Sequence, residues 1–408
     1  MTKNYISVKI KNMNSMQYRF DKRKGKQLSA LGLGCMRFPG GMGLIDKDKT
    51  EKLLLKAYSL GINYYDTAYI YPGSEEVMGE VFKKNNLREK VYIATKMPQV
   101  MCNVSSDFDR FFDIQKQRLQ TGYIDYYLLH NITDFIQYEK LIKLGIKDWI
   151  SCKKKSGEIM QIGFSFHGTK DDFIKVLDDY DWDFVQIQYN YIQTHYQAGI
   201  DGLHYAAKKD IPVIIMEPLL GGKLANLPKK AAAILKKADS DINAVSLALR
   251  FVWNESGVTV LLSGMNQNSQ LEENLAIAEK ALPGNLTETE KNIIEDIKII
   301  FNKNFKIPCT GCKYCMPCPK KINIPDIFEA YNNSFSLGRK YGTFQYLSSI
   351  SFLGAVPHFI SDCSGCGKCE KHCPQKIEIR KFLKTVHRKL GFPLMKAIRF
   401  LALKFLTK

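Results

Sequence analysis

Several things are missing from this sequence, and each absence narrows the reading. No run of 18 or more apolar residues occurs in its 408 positions, and no apolar signal core opens it. A soluble cytoplasmic protein is therefore expected. No Gly-x-Gly-x-x-Gly forms around Gly32 and Gly34, so that pair reads as a tight strand end and not as a dinucleotide loop. A flavin signature is absent as well. Acidic residues are missing from residues 380–408, where nine Lys or Arg stand (Arg380, Lys381, Lys384, Arg388, Lys389, Lys396, Arg399, Lys404, Lys408), half of the formal net charge of +18. With the charge so concentrated, nucleic-acid binding by the whole chain is not expected. Cysteine is scarce outside one stretch: of eleven, only Cys35, Cys102 and Cys152 precede Cys309, and the other eight lie between Cys309 and Cys373. That clustering points to a ligand set in a reducing, anoxic compartment and excludes a disulfide framework spread over the chain.

What is present fits one large domain and an appendage. The length suits a barrel of about 250 residues plus a smaller unit. Residues 1–15 read as a polar extension, with two short strands following around Lys24-Gly25-Lys26. Apolar runs then alternate with amphipathic helical patterns; the expected strands are 31–35, 63–68, 91–96, 124–130, 159–165, 184–189, 211–217 and 258–263. Eight strand-helix units predict an α/β fold of the (β/α)8 TIM-barrel type over 16–285 rather than an open sheet. Thr287 with Glu290 three residues on is a capping-box start for a connecting helix over 286–305. A mainly helical cysteine-rich domain is expected over 306–380, and a basic amphipathic tail over 381–408.

In such a barrel, side chains at the C-terminal ends of strands converge on one mouth. Asp66 and Tyr71 lie five residues apart at one expected strand end; Lys96 and His130 close two others. A phenol with an ordinary pKa of about 10 needs a neighbouring cation to act as an acid near neutrality. A buried ammonium in turn needs a carboxylate. The competing reading is an ordinary buried ion pair, with Tyr71 and His130 as satisfied core residues.

These residues resemble the aldo/keto reductase superfamily. The resemblance covers about residues 16–282 and rests on Gly32-Leu-Gly-Cys-Met-Arg-Phe-Pro39, Asp66 to Tyr71, Ala94-Thr-Lys96, Leu128-Leu-His130, Gln186 to Asn190 and Ser269-Gln-Leu-Glu-Glu-Asn274. It implies NAD(P)H-linked reduction of a small carbonyl compound: Tyr71 as proton donor, Lys96 lowering its pKa, Asp66 pairing with Lys96, and His130 orienting the carbonyl. For the cofactor it implies Ser165, Gln188 and Asn190 near the nicotinamide, Gly221, Gly222, Ser263 and Gly264 near the diphosphate, and Gln270, Glu273 and Asn274 beyond. The chain departs from the family at Ser165-Phe166-His167, where Ser-Asn is usual, and at Met216. Gln270 and Gly264 stand where members preferring the 2'-phosphate carry Arg and Lys. Room left by Met216 and Phe166 is where a flavin would fit.

Cys309-x2-Cys312-x2-Cys315-x2-Cys318-Pro319 and Cys363-x2-Cys366-x2-Cys369-x3-Cys373-Pro374 complete the inventory. In the two-cluster ferredoxin rule the fourth cysteine of a run, followed by Pro, ligates the other cluster. That predicts one [4Fe-4S] cluster on Cys309, Cys312, Cys315 and Cys373 and a second on Cys363, Cys366, Cys369 and Cys318; tetrahedral zinc is the alternative. The tail would touch an anionic membrane surface, dock an acidic partner such as a ferredoxin, or pack on the protein's own surface. Two functions follow: a carbonyl reductase carrying clusters for electron transfer, or an electron-transfer or redox-sensing iron-sulfur protein whose barrel binds a nucleotide or flavin without classical carbonyl reduction.

Overall fold

The computed structural model describes residues 16–41, 44–238, 242–280, 282–336, 338–350 and 358–391. The extension 1–15 and the tail beyond Gly391 lie outside these residues. Strands β1 (Tyr18–Asp21) and β2 (Lys26–Ser29) form an antiparallel hairpin, as expected from the Lys24-Gly25-Lys26 turn. Then come β3 (Leu31–Gly34), the two-residue strands β4 (Gly40–Gly41) and β5 (Leu44–Ile45), β6 (Tyr64–Asp66), β7 (Tyr92–Met97), β8 (Ile124–Ile132), β9 (Ile159–Phe166), β10 (Phe184–Gln188), β11 (Val213–Met216) and β12 (Val258–Ser263). The helices are α1 (Lys47–Ser59), α2 (Ser74–Lys84), α3 (Ser106–Leu119), α4 (Phe135–Lys143), α5 (Ile146–Lys155), α6 (Lys170–Asp178), α7 (Gly199–Lys208), α8 (Lys229–Ala238), α9 (Ala244–Trp253), α10 (Asn268–Lys280), α11 (Glu288–Asn304), α12 (Ile324–Ser336), α13 (Arg339–Ser349), α14 (Lys368–Lys371) and α15 (Ile379–Leu390).

β3 and β6 to β12 close a parallel eight-stranded barrel in sequence order. All eight expected strands are therefore present. Two departures concern helices. The β8–β9 connection holds two helices, α4 and α5, separated at Gly145, whose φ of 86° breaks the run. α8 is an additional helix between β11 and α9.

Parallel strands covered on both faces should be apolar throughout, and β8, Ile-Asp-Tyr-Tyr-Leu-Leu-His-Asn-Ile, shows the pattern with one opening: its polar side chains fall near the ends. The inward set comprises Tyr64, Ala94, Tyr126, Leu128, Phe184, Ile214, Val260 and Leu262, with Leu28 of the hairpin packed against them. Tyr126 meets Tyr64 and Phe184 edge-on at 5.0 Å each, contacts worth about 0.5–1.5 kcal/mol apiece beyond area burial. Gly32 completes this filling. A Cβ there would lie 2.8 Å from both Leu262 Cδ2 and Val260 Cγ1. The first glycine of the early pair is thus accounted for by packing.

Contacts divide the chain into two compact units. One runs to Tyr189 and adds Thr194–Pro218 and Leu249–Asn285; the other comprises Asn190–Gln193, Leu219–Ala248 and the chain from Leu286. In the second unit α11 opens with the expected capping box of Thr287 and Glu290. Asn332 on α12 then fastens the segment before the first cysteine, its Oδ1 accepting from the Lys306 and Ile307 amides at 3.0 and 2.9 Å and its Nδ2 donating to Ile307 O at 2.8 Å. The core of this unit includes Ile307, Ile324, Phe328, Tyr346, Leu383 and Val386. α15 begins before residue 381, where the sequence reading starts the tail, and seats Ile379, Leu383, Val386 and Leu390 in that core. For these residues, packing on the protein's own surface is what the structure shows.

Candidate functional site

The mouth of the barrel is assembled by strand registry. Asp66 ends β6 and Lys96 lies near the end of β7, two residues past Ala94, the register partner of Asp66. Lys96 Nζ donates to Asp66 Oδ1 at 2.6 Å and to Thr67 O at 2.6 Å, with only 1 % of Lys96 exposed. Burial pushes the Lys96 ammonium down and Asp66 opposes this; burial pushes Asp66 up and Lys96 opposes that. Their contact is the compensation that keeps two charges in a dry site. Lys96 Nζ also lies 5.4 Å from the centroid of the Tyr71 ring. His130, near the end of β8, faces that ring edge-on at 6.0 Å. Burial holds its imidazole well below the usual range, with Lys96 and His167 adding to the effect. His130 is therefore neutral at physiological pH, able to hydrogen-bond without carrying charge. The structure brings the four residues together.

The Tyr71 loop is fixed from three sides. Ser74 Oγ bonds Cys35 O at 2.8 Å and meets Thr67 Oγ1 at 2.8 Å; the Tyr69 amide donates to Lys96 O at 3.3 Å; and Arg118 donates to Tyr69 O at 3.1 Å while lying 4.5 Å over its ring. Arg118 belongs to a network that sequence reasoning does not assign. Glu75, fully buried, accepts from Thr95 Oγ1 at 2.5 Å, Gln115 Nε2 at 2.7 Å and Arg118 Nη1 at 3.1 Å. Gln115 also donates to Lys96 O at 3.2 Å and accepts from Tyr127 OH at 2.7 Å. One signal was available: Gln115 shares the buried face of α3 with Phe108, Phe111, Phe112 and Leu119, an amide where the pattern calls for an apolar side chain.

Residues 30–295 match the model of the aldo/keto reductase family, well over half of the chain. The chain belongs to the aldo/keto reductase family. L-galactose dehydrogenase of Arabidopsis thaliana is 27% identical over 289 residues, 65% of this chain and 88% of that protein. An aryl-alcohol dehydrogenase [NADP(+)] of Phanerodontia chrysosporium is 27% identical over 161 residues, 31% of this chain and 42% of the relative. Among solved structures, the holo form of an aldo-keto reductase from Bacillus halodurans matches with a TM-score of 0.57 at 23% identity, covering 69% of this chain and 96% of that one; at this identity the likeness is one of fold. Residues 308–378 match a 4Fe-4S dicluster domain. This aldo/keto reductase therefore carries an iron-sulfur domain at its C-terminal side.

Of the residues expected at the cofactor, Ser165, Gln188, Ser263, Gly264, Gln270, Glu273 and Asn274 belong to the first unit. Ser165 is buried, its Oγ accepting from the Asn131 amide at 2.7 Å and keeping its own proton to donate. Gln186, its register partner on β10, is a residue the sequence reading does not single out. Gln186 Nε2 lies 3.8 Å from Met216 Sδ, and its buried Oε1 has no hydrogen-bond partner among the described residues. A donor from one and an acceptor from the other suit a carboxamide such as that of nicotinamide, and Gln188 is buried on the same strand face. Ser263 Oγ accepts from Asn274 Nδ2 at 2.8 Å, beside Gly264. Gln270 Oε1 accepts from the Asn266 amide at 2.9 Å, and Glu273 is exposed on α10. Asn190, Gly221 and Gly222 group with the second unit. Asn190 Oδ1 accepts from the Ile192 and Gln193 amides at 3.1 and 3.0 Å. Gly221, at φ 66°, is required by close approach, since a Cβ there would lie 2.2 Å from Thr310 O. The Phe166 ring packs against Phe173 of α6 at 5.3 Å, on the outer face of β9, and so does not itself line the mouth.

The cysteines gather around two cavities. Cys309, Cys312, Cys315 and Cys373 line one small cavity of about 20 Å³. Burial pushes the Cys315 thiol up, and the charges of Cys312, Cys309 and Cys373 add to it, which marks all four as neighbours. Cys318, Cys363, Cys366 and Cys369, with Cys315, line another of about 160 Å³ walled by Pro317, Ile322, Ile324 and Leu383. Burial pushes the Cys369 thiol up to about 11, with Glu370 and Cys363 contributing. Among the described residues, no three His, Cys, Asp or Glu are placed to hold a single metal ion. Thiolate sets can hold either tetrahedral zinc or an iron-sulfur cluster, and it is a 4Fe-4S dicluster domain that residues 308–378 match. All-thiolate donors with apolar walls fit such clusters.

Proposed function

We propose that this aldo/keto reductase reduces a small carbonyl compound with a nicotinamide, Tyr71 supplying the proton, and that its cysteines hold two [4Fe-4S] clusters. The observation that supports the first part is the buried Asp66–Lys96 pair lying against the Tyr71 ring. When bound, the nicotinamide supplies hydride. Lys96 uses two of its three protons on Asp66 and Thr67 and turns its charge toward the phenol, which favours phenolate and eases proton release. Neutral His130 orients the carbonyl oxygen toward Tyr71 without competing as an acid. Ser165 and Gln186 hold the carboxamide. Tyr71 itself is only half-buried, as a proton donor to an incoming substrate must be.

The iron-sulfur domain moves single electrons, whereas hydride carries two, so direct exchange between them requires a transformer such as a flavin. The hydride chemistry assigned to the barrel is complete without it. The test is anoxic oxidation of NADH and NADPH with an aldehyde panel, comparing wild type with Tyr71→Phe, together with the visible spectrum of the purified protein. A loss of about 10²–10⁴ in kcat is expected for the variant, with iron-sulfur absorption unchanged. Equal rates would remove Tyr71 from the role.

A further inference from the structure

The two ligand sets differ in their access to solvent. Cys363 and Cys366 are exposed, Cys309, Cys312, Cys315, Cys318 and Cys369 are half-buried, and Cys373 is buried. Beside the exposed loop an open groove of about 1000 Å³ runs along α15, lined by Cys363, Gly365, Arg380, Lys384, His387 and Arg388 among others. The apolar face of α15 is spent on the core, which leaves its basic face outward. Two carboxylates line the groove, and each is neutralised from within: Glu370 by Arg380 at 2.7 Å and Glu378 by Lys381 at 2.6 Å. Arg380 also donates to Gly365 O at 3.2 Å, so it belongs to the scaffold of the cysteine loop. Lys384 and Arg388 are exposed and have no ion-pair partner among the described residues.

We propose that this groove docks a small acidic protein that carries one electron. The inference rests on the reading that Cys318, Cys363, Cys366 and Cys369 hold a cluster. The carrier's reduced centre gives up one electron and the cluster gains one; no bond forms or breaks and no proton moves. Charge decides the occupant. The chain's own residues 392–408 contain no Asp or Glu and four Lys or Arg (Lys396, Arg399, Lys404, Lys408), so they match the groove in sign instead of complementing it. The concavity suits a convex protein edge better than a flat bilayer. Unpaired basic residues beside an exposed redox site steer an acidic partner and bring its centre close.

The experiment uses the full chain with clusters reconstituted anoxically, and a two-cluster bacterial ferredoxin of acidic surface as the probe. Dissociation constants from biolayer interferometry and the rate of ferredoxin oxidation after dithionite reduction are measured for wild type, Lys384→Glu/Arg388→Glu and Lys384→Gln/Arg388→Gln. Lys236→Glu/Lys237→Glu, on α8, carries the same charge change elsewhere. The expected result is a loss of roughly tenfold or more in affinity and rate for the charge reversal. A smaller loss is expected for the neutral pair and little change for the α8 control. Wild-type affinity should also fall as salt rises. Unchanged affinity in both groove variants, or equal loss in the α8 control, overturns the proposal. So does wild-type binding only to phosphatidylserine vesicles and not to ferredoxin. Tyr71→Phe must leave binding untouched, and a protein whose spectrum lacks clusters yet still binds would refute the cluster reading while leaving the docking face.

Discussion

Glu75 controls the mouth of the barrel without facing it. Its carboxylate joins Thr95, next to Lys96 in β7, to Gln115 and to Arg118, which holds Tyr69 and so the Tyr71 loop. Its charge also favours the ammonium form of Lys96. Glu75→Gln keeps the shape and removes the charge, and its amide nitrogen takes the place of one of the two oxygens, so that it meets the donor of either Gln115 or Arg118. Such a buried mismatch costs about 1–3 kcal/mol, which thermal unfolding would register. Because losing a nearby anion disfavours charged Lys96, the alkaline limb of the kcat–pH profile should move to lower pH while KM changes little. A drop in stability with an unmoved profile would make Glu75 purely structural. The four mouth residues were legible in the sequence because strand ends are legible; Glu75 was not, since an acid in the first turn of a helix reads equally well as a solvated partner of the helix dipole. Gln186 was passed over for a related reason: Gln188 on the same face stands nearer the strand end.

At the scale of elements, the pattern of apolar runs carried the barrel almost whole, because each parallel strand is buried on both faces and announces itself in composition. The connections carried less. α4 and α5 share one amphipathic stretch that Gly145 divides, and α8 is rich in Lys and Ala, a composition that suits a helix without revealing what it packs on. The cysteine runs were legible by spacing, and Cys318 and Cys373 each line the cavity to which the expected crossing assigns them. That crossing is directly testable. Cys373→Ser removes one ligand from the set of Cys309, Cys312 and Cys315, and none from the other. About half the iron should be lost on anoxic reconstitution, and the electron paramagnetic resonance of the remaining cluster should match wild type. Loss of all iron would argue that the two sets do not form independently.

The molecule as a whole is two units that differ in what holds them. The barrel is closed by its own strands and filled by its own side chains, whereas the cysteine-bearing unit gathers buried cysteines whose surroundings disfavour the thiolate form that a bound metal would stabilise. Iron removal should therefore act on one unit selectively. Hydrogen exchange is expected to quicken in α12, in α15 and also in α8, which packs on α11 within the same unit, while β6, β7 and β8 stay protected. Uniform loss of protection would contradict a two-unit description. No helix among the described residues is long and apolar enough to cross a membrane.

Leu219–Ala248 has a consequence for how this architecture could have been joined and how it can be taken apart. The chain passes from one unit to the other at Tyr189, Gln193, Pro218, Ala248 and Asn285, five crossings where an end-to-end fusion would have a single one. A cassette added at the end of a finished barrel could be lost again with one stop codon. Here the same stop codon would strip α8 of α11 and leave Gly221 without Thr310. A chain ending at residue 285 would be a barrel with a stranded loop and helix, so dissecting the two chemistries calls for point substitutions at cysteines, not for scissors.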